Sequence, residues 1–117
     1  MGKLTTHVLD TANGCPATGM LVTLYRLQGA LAERLKVVTL NHDGRADGPL
    51  LQGDEFQPGR YRLVFEVADY FRARGAALAD PPFLDSVPLD FGLSAAGEHY
   101  HVPLLASPWA YSTYRGS

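Results

Sequence analysis

Short runs of β-favouring residues, each cut off by Gly, Pro, Asn or Asp, restrict this chain more than any other feature, and they point to a sandwich or barrel. Leu4–Asp10 carries β-branched Thr5, Thr6 and Val8 and is broken by Thr11–Pro16. Met20–Leu27 is the second expected strand. Its faces, Leu21/Thr23/Tyr25 and Val22/Leu24/Arg26, are neither cleanly polar, as suits a strand covered on both sides. Leu35–Leu40 is a third, closed by Asn41-His42-Asp43-Gly44-Arg45, whose Asp-Gly pair is of the hairpin-favouring kind. After the Pro58-Gly59 turn, Arg60–Val67 places Tyr61, Leu63, Phe65 and Val67 on one face, the clearest alternation in the chain. Asp69–Gly75 reads as one or two helical turns with Asp69 as N-cap and Gly75 as the stop, and Asp80-Pro81-Pro82 opposes continuation. Ser86–Phe91, His99–Ala106 and Tyr111–Arg115 complete the set. The expected fold is all-β: a mainly antiparallel β-sandwich of seven to eight strands with one short helix.

The 117 residues make one domain, 1–117, with one core; a domain of this size buries roughly two-thirds of the surface its unfolded chain exposes. A hydrophobic content of 46% and a charged content of 19% argue against disorder. The formal charge of −2 and the lack of any Lys/Arg cluster exclude nucleic acid as an expected partner. No apolar run approaches the ~18 residues of a membrane span, and the first ten residues lack a signal-peptide core. Cys15 has no intramolecular partner, which fits a reducing compartment, and Arg115-Gly116-Ser117 is not a peroxisomal address, so the expected location is the cytoplasm.

Chemistry concentrates at the two ends. In His99-Tyr100-His101 strand alternation turns both imidazoles to one face, and His7 lies on the first strand. Arg45 follows a tight turn, and Tyr111-Ser112-Thr113-Tyr114-Arg115 brings hydroxyls and a guanidinium into the last strand. Each has a plainer reading: a strand His is more often a hydrogen-bonded or surface residue, a turn Arg is usually solvated, and Ser112 and Thr113 suit ordinary cross-strand pairing. His42, in a polar turn, and Cys15, beside Pro16, keep that reading. No Gly-x-Ser-x-Gly elbow or visibly placed carboxylate supports a serine triad. Two same-face imidazoles with His7 as a third ligand could begin a tetrahedral zinc site, and on the residues alone metal-bound and metal-free readings stand level.

Three stretches carry a family resemblance. Thr6-His7-Val8-Leu9-Asp10-Thr11, with Gly14 and Pro16-Ala17, resembles the N-terminal signature of the hydroxyisourate hydrolases of the transthyretin-related family. Asp43-Gly44-Arg45 resembles their internal motif. His99-Tyr100-His101-Val102-Pro103-Leu104-Leu105, Ser107-Pro108 and the ending Tyr111-Ser112-Thr113-Tyr114-Arg115-Gly116-Ser117 resemble their C-terminal signature. The match is weakest between Ala46 and Gly97, and Ala106 and Trp109-Ala110 replace the commoner Leu and Tyr-Gly.

The resemblance implies a transthyretin-like sandwich forming a homotetramer around a central channel, with sites at the dimer–dimer interface. It implies metal-independent hydrolysis of 5-hydroxyisourate, a small-molecule substrate, without cofactor. Carried over by position, His7, Arg45 and His101 are the catalytic residues; Tyr114, and more weakly Ser112 and His99, join His7 and Arg45 in binding substrate. Imidazoles, with an unperturbed pKa of roughly 6.5, suit removing a proton from water and returning one to a leaving nitrogen. Arg45 suits stabilising the oxyanion. A transthyretin-type carrier without catalysis, a metal-dependent cyclic-amide hydrolase using His7, His99 and His101, and an adhesive sandwich are the competing expectations.

Overall fold

The computed structural model describes residues 2–116. Among them the chain forms strands β1 (Lys3–Asp10), β2 (Cys15–Pro16), β3 (Leu21–Gln28), β4 (Leu31–Thr39), β5 (Leu51–Gln52), β6 (Gly59–Phe65), β7 (Val87–Leu93), β8 (His99–Ala106) and β9 (Tyr111–Thr113). Helix α1 spans Val67–Ala73. One sheet runs β2-β1-β8-β9, with β5 also paired to β1; the other runs β4-β3-β6-β7. All seven expected strands are present. The two additional ones are two-residue pairings on β1, too short to leave a period in sequence.

Alternation places the core between the sheets. In β1 the inward residues are Leu4, Thr6, Val8 and Asp10; in β8 they are Tyr100, Val102, Leu104 and Ala106; all are buried. Tyr61, Leu63 and Phe65 of β6 and the following Val67 are fully buried opposite them. Every pairing is antiparallel except β1 with β8, which runs parallel from Lys3↔His99 to Asp10↔Ala106. The chain reaches β8 only after building the second sheet, and so it can return in the direction of β1.

Several local expectations change. Strand β4 begins at Leu31 rather than Leu35, because the turn after Gln28, with Gly29 at φ +58°, folds Leu31–Arg34 back onto β3. A register shift leaves Leu35 as the extra residue between Tyr25↔Arg34 and Leu24↔Lys36, a bulge that no simple alternation describes. Strand β3 is not covered evenly on both faces: Val22 and Leu24 are in the core, whereas Leu21 is 42% exposed. Asp69 lies inside the first turn of α1 and the N-cap is Glu66, without a side-chain cap bond; Gly75, at φ +91°, ends the helix as expected.

Helix α1 is tied to β1 through the buried Asp10. Its carboxylate accepts hydrogen bonds from the Tyr70 hydroxyl at 2.8 Å and from the Asn13 backbone and side chain at 2.9 and 2.7 Å. Burial pushes this carboxyl up, but the Asn13, Tyr70 and Ala12 hydrogen bonds outweigh burial and hold it below the usual range. Among the described residues no helix is long and apolar enough to cross a membrane.

Candidate active site

The outward positions of β1 and β8 are Lys3, Thr5, His7 and Leu9 beside His99, His101, Pro103 and Leu105. Parallel register sets Thr5 opposite His101 and Lys3 opposite His99. The Thr5 hydroxyl lies 2.7 Å from His101 Nδ1 and 2.7 Å from His99 Nε2. On its other side, His101 Nε2 is 2.9 Å from His7 Nδ1. The His7 and His101 rings are nearly parallel, with centroids 5.1 Å apart and planes inclined by 17°. These groups surround a shallow concavity of about 400 Å³ that Arg45, Tyr114 and Gly116 also line.

Arg45 arrives from a crossing between sheets, because the Asp43-Gly44 turn does not close a hairpin. Asn41 organises it: its carbonyl accepts the Gly44 N–H at 2.8 Å, and its side-chain oxygen accepts the Asp43 and Arg45 N–H groups at 2.9 and 3.2 Å. The loop then lies against β1, where Val8 N–H donates to the Gly44 carbonyl at 2.9 Å and Arg45 makes an isolated bridge to His7. Gly44 takes φ +71°, and a Cβ there would stand 2.6 Å from the Val8 carbonyl oxygen. Both facts require glycine. Turn chemistry alone reads the local backbone and not the sheet the loop will meet.

The chain end covers the other flank. Gly116 N–H donates to the His101 carbonyl at 2.7 Å, and a Cβ on Gly116 would lie 2.8 Å from His101 Cδ2. Ser117, the last residue of the resemblance, lies outside the described residues. Tyr114 is at the rim, 60% exposed. Ser112 shares the outer face but pairs with Leu105, well past His101 along β8. At strand spacing that is roughly 13 Å away, and Ser112 does not line the concavity.

Both central imidazoles titrate below the ordinary histidine range. Burial lowers His7 first and the Arg45 charge second. For His101 burial is again the largest cause, followed by His7, Arg45 and His99. Both therefore hold a basic lone pair at neutral pH, beside a permanent cation that can neutralise developing negative charge. The facing nitrogens of His7 and His101 meet each other, and the remaining His101 nitrogen meets Thr5. Among the described residues no group of three His, Cys, Asp or Glu side chains is arranged to hold a metal ion.

Sequence reasoning brought His7, Arg45, His99, His101 and Tyr114 to one place but passed over Thr5 and Gly116. The signal for Thr5 was present, since it alternates with His7 on one strand. Its meeting with both β8 imidazoles depends on the parallel register.

A two-sheet sandwich with one parallel strand pair, carrying imidazoles and a guanidinium on an outer sheet face, defines a transthyretin-like domain with a candidate hydrolytic site. Residues 4–116 match the HIUase/Transthyretin family, and the chain belongs to it. It is 58% identical to a 5-hydroxyisourate hydrolase of Pseudomonas aeruginosa over 117 residues, covering all of this chain and 93% of the relative. A Klebsiella pneumoniae 5-hydroxyisourate hydrolase structure superposes with a TM-score of 0.82 at 33% identity, each chain covered in full. An (S)-allantoin synthase structure superposes with a TM-score of 0.94 at 49% identity; 99% of this chain matches 44% of that longer one.

Proposed function

We propose that this protein hydrolyses 5-hydroxyisourate, the product of urate oxidation, to 2-oxo-4-hydroxy-4-carboxy-5-ureidoimidazoline. The observation carrying this reading is the His7–His101 pair held neutral beside Arg45, in a chain 58% identical to a relative named for that reaction. The reaction adds water to a carbonyl and opens a cyclic C–N bond. His7 and His101 position and deprotonate the water and return a proton to the leaving nitrogen. Arg45 binds the ring oxygens and stabilises the tetrahedral oxyanion. Tyr114 and His99 contact the ring from the rim, and Ser112 reaches it only if assembly folds another surface over the site. No cofactor or metal takes part.

The working form is a homotetramer. The concavity is open on one side, whereas a charged transition state gains most from a site closed to water. Leu9 and Tyr114, on the same outer face, are 36% and 60% exposed, and β9 leaves a short edge for pairing. The single Cys15 fits a cytoplasmic location.

The test generates 5-hydroxyisourate with urate oxidase and follows its absorbance decay. The expected result is acceleration that survives a strong chelator and is lost in His101→Ala. Decay at the spontaneous rate with folded protein would replace the enzyme by a carrier, and loss on chelation with recovery on zinc would replace the metal-free mechanism. Sedimentation of a fully active monomer would remove the tetramer from the mechanism.

A further inference from the structure

The Thr5 hydroxyl has a single proton, yet it stands 2.7 Å from an imidazole nitrogen on each side. It can donate to only one, so the other must donate to it. The same rule applies at the 2.9 Å contact between His7 Nδ1 and His101 Nε2. The tautomers of three histidines are therefore coupled through one threonine. When His7 carries its proton on Nδ1, it donates to His101 Nε2. His101 then carries its proton on Nδ1 and donates to Thr5, and Thr5 donates to His99 Nε2. In that arrangement the lone pair of His7 Nε2 is free.

We propose that Thr5 and His99 complete a proton relay, His7–His101–Thr5–His99, that moves the proton taken from water at His7 to the exposed rim of the site and back. The relay rests on the hydrolytic reading above and assigns the initiating base to His7. As the water O–H breaks, its proton joins His7 Nε2 and the hydroxyl adds to the carbonyl carbon. The His7 Nδ1 proton passes to His101 Nε2, the His101 Nδ1 proton to Thr5 Oγ1, and the Thr5 hydroxyl proton to His99 Nε2. His99 ends as the imidazolium, and His7, His101 and Thr5 are neutral. The reverse sequence returns one proton through His7 Nε2 to the leaving nitrogen as the C–N bond breaks, restoring every group.

The contrast in exposure favours that direction. His7 and His101 are half-buried and face Arg45, so a positive charge is costly on either. His99 is exposed and can be solvated when charged. The other charged groups near it are Lys3, its register partner on β1, and Arg115, whose guanidinium lies 3.4 Å from the His99 carbonyl and is bridged to Glu98 at 2.7 Å. Thr5 is a positioning residue here, since it acts through the imidazoles and need not touch substrate.

The experiment compares wild type, Thr5→Val, Thr5→Ser and His99→Ala on enzymatically generated 5-hydroxyisourate, with proton inventories in H2O/D2O mixtures. Valine keeps the shape and β-branching of threonine without the hydroxyl. The expected result for Thr5→Val is a fall in kcat of about tenfold or more with KM nearly unchanged, and a bowed wild-type inventory that becomes linear. Thr5→Ser recovers most of the rate, and imidazole in the buffer partly rescues His99→Ala. His99 is exposed, so its variant reports even if Thr5→Val does not fold. Wild-type turnover with unchanged kcat and inventory in Thr5→Val or His99→Ala would sink the relay alone. Wild type leaving the decay at its spontaneous rate would sink the hydrolytic reading and the relay with it.

Discussion

Thr5 and Thr6 are neighbours on β1 with opposite tasks. Thr6 points inward, is 3% exposed and donates its hydroxyl to the Val102 carbonyl at 2.7 Å, binding β1 to β8. Thr5 points outward and joins two imidazoles of the site. The same division runs along both strands: Leu4, Val8, Val102 and Leu104 build the core, while His7, His99 and His101 stand on the reverse side of the same backbone. The backbone that carries the candidate site is packed in the core on one side, while the site's side chains stand outside that core on the other. On the proposed function, stability and catalysis are expected to separate at adjacent residues.

Substitutions along β8 test that separation most severely. His101→Ala is expected to lower kcat by about 10²- to 10⁴-fold, the range of a lost acid–base group, with little change in the urea midpoint. Leu104→Ala, facing the other way and fully buried, is expected to cost about 2–5 kcal/mol of stability and leave activity per folded molecule intact. Reversed results, with His101→Ala unfolding and Leu104→Ala inactive but stable, would break the comparison.

Arg45→Gln is expected to reduce kcat/KM by about 100-fold through loss of oxyanion stabilisation, and it also has a pH signature. The base must be neutral, so activity is lost as pH falls through the lowered imidazole pKa values. In wild type that acid limb lies below the ordinary histidine value of about 6.5. Removing the cation takes away one cause of the depression and moves the limb upward, leaving burial at His7, and burial with the neighbouring His7 and His99 at His101. An unmoved limb in pH–rate profiles would take Arg45 out of the electrostatics of the pair.

Two smaller effects sharpen the boundary. Gly116→Ala forces its new methyl toward His101 Cδ2, and the displaced ring is expected to lose about tenfold in kcat with an unchanged melting temperature. Thr6→Val removes one buried hydrogen bond and is expected to cost about 1 kcal/mol with normal kcat. A catalytic defect in Thr6→Val comparable to that of Thr5→Val would show that the two faces are not independent.

Alternation along Leu4–Asp10, Arg60–Phe65 and His99–Ala106 is a property of the extended backbone, so the strands, much of the core and the shared face of His99 and His101 were legible in the residues themselves, although Val67, expected in the same strand as Phe65, opens α1 instead. So was the family, through the motifs around His7, Arg45 and His101. The tertiary structure decided what those side chains meet. Thr5 and His101 are 96 residues apart in the chain, and they face each other because the inner sides of β1 and β8 pack into one core in parallel register. The bulge at Leu35, the crossing that delivers Arg45 to His7, the return of Gly116 over His101 and the distance of Ser112 arise in the same way. Each depends on contact between segments remote in sequence, and local alternation marks which face of a strand is buried but not which remote residue it will meet.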